Sequence, residues 1–307
     1  MLPASRLLLS LSRGINRRKP IAAVLAIAGA IAGAAVLFAW QPGLTPESAP
    51  LRFAIVGDRT GEARPGVYEA VWRALAASRP AFAIGVGDAI QGGDDATAES
   101  EWAELGHILE PYRAIPYFPA PGNHDVWSDA SARLFEANTG HPLHYGFDEG
   151  PAHFTVLDNS MSDNLAPGEM AFLEQDLKAH AAQPVKFIVS HRPSWLIDVM
   201  LRNPAFPLRQ LAEKYGVHYV IAGHVHEMVH LTLGGVEYIS VPSAGGHLRA
   251  SGKYEDGWFF GYIMVTVKMA TVTGADVTFE VKELPAPNGE GRVTPLSAWG
   301  AAGLIKR

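Results

Sequence analysis

VHYVIAGHVH, residues 217–226, is the stretch on which the reading of this chain turns. Val217 to Ala222 form a short apolar run that stops at Gly223, and His224 and His226 follow with one residue between them. A run of that length closed by a turn residue reads as a buried strand. Side chains just past the C-terminal ends of strands share a crevice in α/β sheets, so the two histidines are predicted to sit where ligands bind. If the segment stays extended, both point to one side, a pairing suited to a metal ion.

The same form occurs four more times. LRFAIV (51–56) runs into Gly57-Asp58-Arg59-Thr60, AFAIGV (81–86) into Gly87-Asp88, and the apolar stretch near Ile115–Phe118 into Gly122-Asn123-His124-Asp125. VKFIVS (185–190) ends at His191-Arg192-Pro193. Between these runs, 66–78, 97–109, 168–180 and 207–215 carry helical spacing; Trp102, Leu105 and Ile108, or Phe172, Leu173 and Leu177, read as core faces. Strand and helix in alternation imply a largely parallel or mixed sheet with helices on its faces. After Gly223 the pattern changes to MVHLTL, VEYISV, GYIMVTV and DVTFEV, four strands with tight turns such as Gly234-Gly235, so this half is predicted to be antiparallel. The fold class that accommodates both halves is α/β, a sandwich of two sheets flanked by helices. His230, four residues from His226, lies in strand-like context and reads as structural.

Composition narrows the chemistry. Of 307 residues 48% are hydrophobic and 18% charged, which excludes disorder as the main state. There is no cysteine, so disulfides, thiolate zinc sites, iron–sulfur clusters and cysteine nucleophiles are excluded, and any metal must be held by nitrogen and oxygen. Twelve histidines are many for such a chain. Five of the 25 basic side chains and one of the 31 acidic ones lie in residues 1–50, so the remainder carries a net charge of −10. That acidic body argues against nucleic-acid binding. No dinucleotide-binding or Walker glycine loop is present.

IAAVLAIAGAIAGAAVLFAW (21–40) has no charge over twenty residues and follows Arg17-Arg18-Lys19. At 1.5 Å per residue it matches a bilayer core of about 30 Å. The basic flank is predicted to stay cytoplasmic and Trp40 to sit at the far interface. This gives a single-pass inner-membrane protein with its folded domain on the periplasmic side. The alternative is a cleaved signal peptide and a secreted or periplasmic product. The resulting organisation is a basic N-terminus (1–20), a transmembrane anchor or signal (21–40), a linker (41–50), a folded domain (51–285) and a loosely ordered C-terminal tail (286–307).

Taken singly, a Gly-Asp after a strand is usually a turn or a helix cap. Five such clusters in order, each at a predicted strand end, are a site. In that order the chain resembles the calcineurin-like metallophosphoesterases, over about residues 51–285. The resemblance rests on Asp58-Arg59-Thr60, Gly87-Asp88, Gly122-Asn123-His124-Asp125, His191 and Gly223-His224-Val225-His226. It implies a four-layer αββα sandwich of two mixed β-sheets with two divalent metal ions (Mn, Fe, Zn or Co) at the strand edge. One ion would be held by Asp58 and His226, the other by Asn123, His191 and His224, with Asp88 bridging. The implied activity is hydrolysis of a phosphomonoester or phosphodiester by a metal-activated hydroxide. Such a dinuclear centre retains a net positive charge that attracts the phosphorylated substrate and clamps nucleophile and ester oxygens.

His124 resembles the family histidine that touches substrate, and Asp125 is expected to hydrogen-bond its ring and set its tautomer. Arg59, Arg192 and His247 are candidate substrate-binding residues. At one position the chain departs from the pattern. Many members carry a histidine two places after the first aspartate, where this chain has Thr60. The purple acid phosphatase branch uses a tyrosine three places after the bridging aspartate, where this chain has Gln91. Thr60 and Gln91 are therefore possible extra ligands, and a non-catalytic metal- or phosphate-binding protein of the same fold is the rival reading. Substrate choice is expected to lie in loops 89–100, 126–145 and 193–207.

Overall fold

The computed structural model describes residues 49–270, 274–285 and 291–299. Along the chain run β1 (Leu51–Val56), α1 (Val67–Ala77), β2 (Phe82–Gly85), α2 (Ala98–Leu109), β3 (Tyr117–Pro119), α3 (Asp129–Thr139), β4 (Tyr145–Glu149) and β5 (Ala152–Val156). There follow α4 (Pro167–Ala179), β6 (Val185–Val189), α5 (Leu196–Met200), α6 (Pro207–Tyr215), β7 (Tyr219–Ala222), β8 (Val229–Leu233) and β9 (Val236–Ser240). β10 (Gly261–Ala270), β11 (Gly274–Glu283) and β12 (Val293–Pro295) complete the order.

Two six-stranded mixed sheets result, ordered β12-β11-β10-β1-β2-β3 and β4-β5-β6-β7-β9-β8. β1, β2 and β3 are parallel in the first, and β5, β6, β7 and β9 in the second. Parallel neighbours need a crossover. α1 and α2 provide it in the first sheet, and α4 and α6 in the second.

Strand periodicity sorts the core. Phe53 and Ile55 face the other sheet, whereas Ala54 and Val56 face the helices of their own side. Phe53 stacks on Phe82 at 5.0 Å and meets Phe154 and Phe187 of the second sheet edge-on at 5.2 and 5.5 Å. Aromatic contacts of this kind join the sheets, and truncating Phe53 to alanine would cost about 3–5 kcal/mol. Val71, Trp72, Trp102 and Phe135 cover the outer face of the first sheet from α1, α2 and α3. Leu173, Leu177, Leu208 and Ala212 cover that of the second from α4 and α6. Local signals fit these ends: a Ser128–Ser131 capping box opens α3, and a proline opens α4 and α6.

The structure departs from the sequence reading in three places. The antiparallel half is divided between the sheets, with β8 and β9 in the second and β10 and β11 in the first, and β9 pairs with β7 in parallel. Loop 126–145 contains α3, loop 193–207 contains α5, and a hairpin of β4 and β5 follows at 145–156. That hairpin escapes a search for apolar runs because Gly146, Asp148 and His153 interrupt it. Within the expected tail, β12 pairs with β11, and Leu296 and Trp299 enter the core between the sheets. Among the described residues no helix is long and apolar enough to cross a membrane, and the segment 21–40 expected to do so lies outside them.

Candidate metal centre

Six parallel strands end along one edge, three from each sheet, and each delivers polar residues there. β1 leads to Asp58, β2 to Asp88, β3 to Asn123, His124 and Asp125, β5 to Asn159, β6 to His191, and β7 to His224 and His226. Asp58, His191 and His226 are fully buried and Asp88 nearly so.

The side chains form two groups that share a member. Ligand atoms of Asp88, His191 and His224 lie within 4.8 Å of one another, and so do those of Asp58, Asp88 and His226. In the first group His191 Nδ1–H donates to the Val86 carbonyl at 2.9 Å, which leaves Nε2 as the lone-pair nitrogen. That atom lies 3.0 Å from Asn123 Oδ1, 3.0 Å from His224 Nδ1 and 3.3 Å from Asp88 Oδ1. In the second group His226 Nδ1–H donates to the His247 carbonyl at 2.8 Å. Its Nε2 is buried and lies 3.3 Å from Asp58 Oδ2, without the alignment of a hydrogen bond.

This donor set fits divalent cations. Lone pairs converge on one another, and two buried carboxylates have no lysine or arginine partner among the described residues. Buried charges of that kind are paired or bind metal. Burial pushes Asp58 up, but contacts with His226, the charges of His191 and His226 and the His224 backbone outweigh it and hold its carboxyl below the usual range. Burial, then the charges of His191 and Arg192, pulls His224 down to about 4, so its lone pair is available at neutral pH.

The backbone is strained to make this arrangement. Among the described residues six non-glycine residues have positive φ, and Asp88 (57°), His224 (67°) and His226 (61°) are half of them. Such conformations cost of order 1–3 kcal/mol each and persist where the surroundings enforce them. The His224 nitrogen donates to Asp58 Oδ2 at 2.8 Å, which fixes one of these turns. Gly223 is required beside it, because a Cβ there would lie 2.4 Å from Asp58 Oδ1.

Several expected residues do other work. Asp125 does not hold the His124 ring. Its carboxylate accepts from the backbone nitrogens of Asp88 (2.7 Å), Ala89 (2.8 Å), Ile90 (3.2 Å) and Gly122 (2.8 Å), and so shapes the Asp88 turn. Burial and then the Asp88 charge push Asp125 up to about 6, against the pull of those donors. The His124 ring instead donates from Nδ1 to the Gln91 carbonyl, while its backbone nitrogen donates to Asp88 Oδ1 at 3.0 Å. The Gln91 side chain is exposed, so its backbone is what meets the site. The Thr60 hydroxyl faces the carbonyls of Asp88 and Ile90 at 3.0 and 2.7 Å.

Arg59 pairs with Glu104 of α2 at 2.6 Å and donates to the Ala89 carbonyl, a structural use. Arg192 pairs with Asp163 at 2.7 Å and, with His224, lines a cavity of about 390 Å³ beside the cluster. His247 donates from Nδ1 to the Gly61 carbonyl at 2.8 Å, and its ring centroid lies 5.9 Å from that of His226.

Two residues carry roles that sequence reading missed. Asn159, buried after β5, accepts from the nitrogens of His191 and Arg192 at 3.0 and 2.9 Å and donates to the Arg192 carbonyl at 2.8 Å. It clamps the His191 turn, but it follows an unrecognised strand and belongs to no motif. Arg249 is exposed, makes no ion pair among the described residues, and its charge reaches both His224 and His226.

The family model of calcineurin-like phosphoesterases matches residues 51–228, more than half of the chain. No curated protein sequence matches it. Among solved structures, a purple acid phosphatase from yellow lupin (Lupinus luteus) seeds is similar at a TM-score of 0.59 and 16% identity, over 80% of this chain and 53% of the lupin chain. The chain thus spans about half the length of that enzyme. GAP50, the anchor in the inner membrane complex of Plasmodium, is similar at 0.55 and 17%, over 84% and 90% of the two chains. A dimetal phosphatase from Danio rerio is similar at 0.53 and 12%, over 81% and 100%. At these identities the likeness is one of fold, and it is the family match over 51–228 that makes the chain a metallophosphoesterase of the calcineurin-like phosphoesterase family.

Proposed function

We propose that the chain hydrolyses phosphate esters at two divalent ions. Asp58, Asp88 and His226 would hold one; Asp88, Asn123, His191 and His224 would hold the other. The observation that carries this reading is Asp88, which belongs to both ligand groups and is buried between them. Two bound ions would supply Lewis acidity toward the ester and an acidified water near neutral pH.

The chain's own residues then act around that centre. Asn123 and the neutral imidazoles leave it positive, so it attracts an anionic ester. Arg249, exposed and in no ion pair among the described residues, adds positive charge felt by His224 and His226, and Arg192 borders the cavity next to His224. His124, with Nδ1–H tied to the Gln91 carbonyl, carries any further proton on Nε2, the atom left for a leaving oxygen. Asp125, Asn159 and the His247 carbonyl position the ligands and touch no substrate.

The apolar segment 21–40 and its basic flank support an extracytoplasmic catalytic domain, held by an anchor or released after signal cleavage. Metal analysis of protein purified without added metal, with turnover of p-nitrophenyl phosphate and its bis ester, tests the activity. Two ions per chain and hydrolysis of either ester are expected. One ion or none, without turnover of either ester, would overturn the proposal. Protease accessibility of the domain in spheroplasts tests the location.

A further inference from the structure

We infer that the substrate is a phosphate ester whose alcohol carries a long apolar chain, held in a trough that leads away from the metal centre between segments 163–170 and 194–208. The inference rests on the phosphoesterase reading above and names the class of ester that reading leaves open.

Two cavities form the trough. The one of about 390 Å³ is bordered by His224, Arg192 and Ile197, and the other, of about 290 Å³, by Leu165, Met170, Phe206 and Leu208. Asn164, Ser194 and Asp198 line both, so the two adjoin. Along this path an imidazole and a guanidinium give way to four large apolar side chains. A ligand with a charged head and an apolar body matches that gradient, because pockets bind mainly through apolar walls and orient through a few polar groups.

Between the two ends, polar groups are few. Asn203 Nδ2 donates to Asp198 Oδ1 at 2.6 Å, the Asn203 nitrogen donates to the Asp198 carbonyl at 2.8 Å, and Asn203 Oδ1 accepts from the Ala205 nitrogen at 3.0 Å. This staple fixes the turn before Phe206 and ties up Asp198 and Asn203. What remains is Asn164 and the Ser194 hydroxyl, which is buried without a hydrogen-bond partner among the described residues. That is enough for an oxygen near the head of a chain and too little for the hydroxyls and base of a nucleoside. The Asp198 carboxylate also repels phosphate, so the ester lies with phosphorus toward His224 and Arg192 and its chain toward Met170.

Outside the cavities the same region stays apolar. Four of the six large apolar side chains exposed among the described residues, Met161, Ile197, Met200 and Leu201, lie in or beside these two segments. Ile197, Met200 and Leu201 are spaced i, i+3 and i+4 at α5, one face of a turn, while Val199 is buried in the core. Apolar side chains gathered at one rim mark a binding face. Ile197 belongs both to that face and to the cavity with His224, which makes the face continuous with the metal centre. On hydrolysis the oxygen of water bonds to phosphorus as the bond to the ester oxygen breaks. One hydrogen of the water stays with phosphate and the other leaves with the long-chain alcohol.

Alkylphosphonates, whose P–C bond resists hydrolysis, read binding without turnover. The metal-loaded full chain is expected to bind octylphosphonate, below its micelle concentration, at least about ten-fold more tightly than ethylphosphonate by calorimetry, since each buried methylene favours transfer from water. Octyl phosphate should likewise be hydrolysed with the larger kcat/KM. Met170→Gln at the apolar end and Ala205→Asp at an exposed position on the wall should each bring the affinity ratio below about three, with unchanged circular dichroism. Equal affinities of the parent for the two phosphonates, or a ratio that both variants keep, would overturn the inference. Equal affinities together with dimerisation that Ile197→Ser abolishes would give the face to a second copy of the chain. A parent that binds neither phosphonate and turns over no p-nitrophenyl phosphate would overturn the phosphoesterase reading itself, a result distinct from chain-independent binding by an active enzyme.

Discussion

Asp125 Oδ2 accepts a hydrogen bond from the backbone nitrogen of Asp88 at 2.7 Å, and the same carboxylate accepts from three further backbone nitrogens. The last residue of Gly-Asn-His-Asp therefore builds the turn that presents Asp88. Asp125→Asn puts an amide donor against at least one of those N–H groups. We expect a loss of about 1–3 kcal/mol in stability, with metal content and activity falling together. Metal analysis and melting curves check this. A variant that kept its metal and changed only its pH–rate profile would return Asp125 to the His124 ring.

His124 meets a backbone carbonyl, so its neighbour's side chain is dispensable. Gln91→Ala should leave turnover within about two-fold, because the side chain is exposed, the His124 contact is to the Gln91 backbone, and surface changes are usually near neutral. His124→Asn should spare metal and lower turnover by about 10²–10⁴, most for esters with poor leaving groups. Steady-state rates across a leaving-group series read this directly. Equal losses on good and poor leaving groups would remove the acid role.

Gly223 admits the Asp58 carboxylate. Gly223→Ala places a methyl 2.4 Å from Asp58 Oδ1 and 2.5 Å from Val86 Cγ2, neither of which is a flexible chain end. The Asp58 contact with the His224 nitrogen should break, at about 1–3 kcal/mol for overpacking. Affinity for the ion assigned to Asp58 should fall more than affinity for the one assigned to His191. A chelator titration that showed both lost in parallel would argue that the two groups act as one.

The sandwich and most of the cluster were legible because β1, β2, β3, β6 and β7 are short apolar runs that lead into a ligand type, four of them through a glycine. That signal does not depend on packing. The β4–β5 hairpin was not legible, since on its outer face His153 is held between Asp148 of β4 and Asp176 from α4, polar contacts that replace the expected apolar pattern. The partition of the C-terminal strands failed for a related reason. Local alternation says that β8 and β9, or β10 and β11, pair as hairpins, but which sheet each hairpin joins is set by β7 and β1 far along the chain. Roles inside the motif also depend on contacts unseen in sequence, as Asp125 and Gln91 show.

Unlike Arg59 and Arg192, Arg249 makes no ion pair among the described residues. Arg249→Ala should raise KM several-fold with little change in metal content, since its charge reaches His224 and His226 while its side chain is exposed. Arg59→Ala should act on stability instead, by less than about 1 kcal/mol for an ion pair whose Glu104 end is exposed. Kinetics of the two variants on one ester separate these roles. A KM effect from Arg59→Ala alone would reverse the assignment.

His230 joins the C-terminal segment to the second sheet, and its charge makes that join depend on pH. Nδ1 donates to the Trp299 carbonyl at 2.9 Å and Nε2 donates to Glu237, so the ring is an imidazolium. Burial pulls His230 down, but the Glu237 hydrogen bond, the Trp299 carbonyl and the Glu237 charge outweigh it and raise the pKa above 6.5. The His230 hydrogen bond comes first among the causes that hold Glu237 below 4.5. A raised histidine adds stability that is complete below its unfolded value and lost as pH climbs through the folded one. A depressed glutamate adds stability that is complete above its unfolded value and lost as pH drops through the folded one. Both contributions are therefore full between pH 4.5 and 6.5, the two ordinary values. The melting-temperature gap between the parent and His230→Gln should be widest near the middle of that window and should narrow as the solution turns alkaline. Hydrogen exchange in 291–299 should quicken over the same range, because Trp299 loses its donor. A gap that stayed constant from the acid window to alkaline pH would mean that His230 holds Trp299 through a neutral ring.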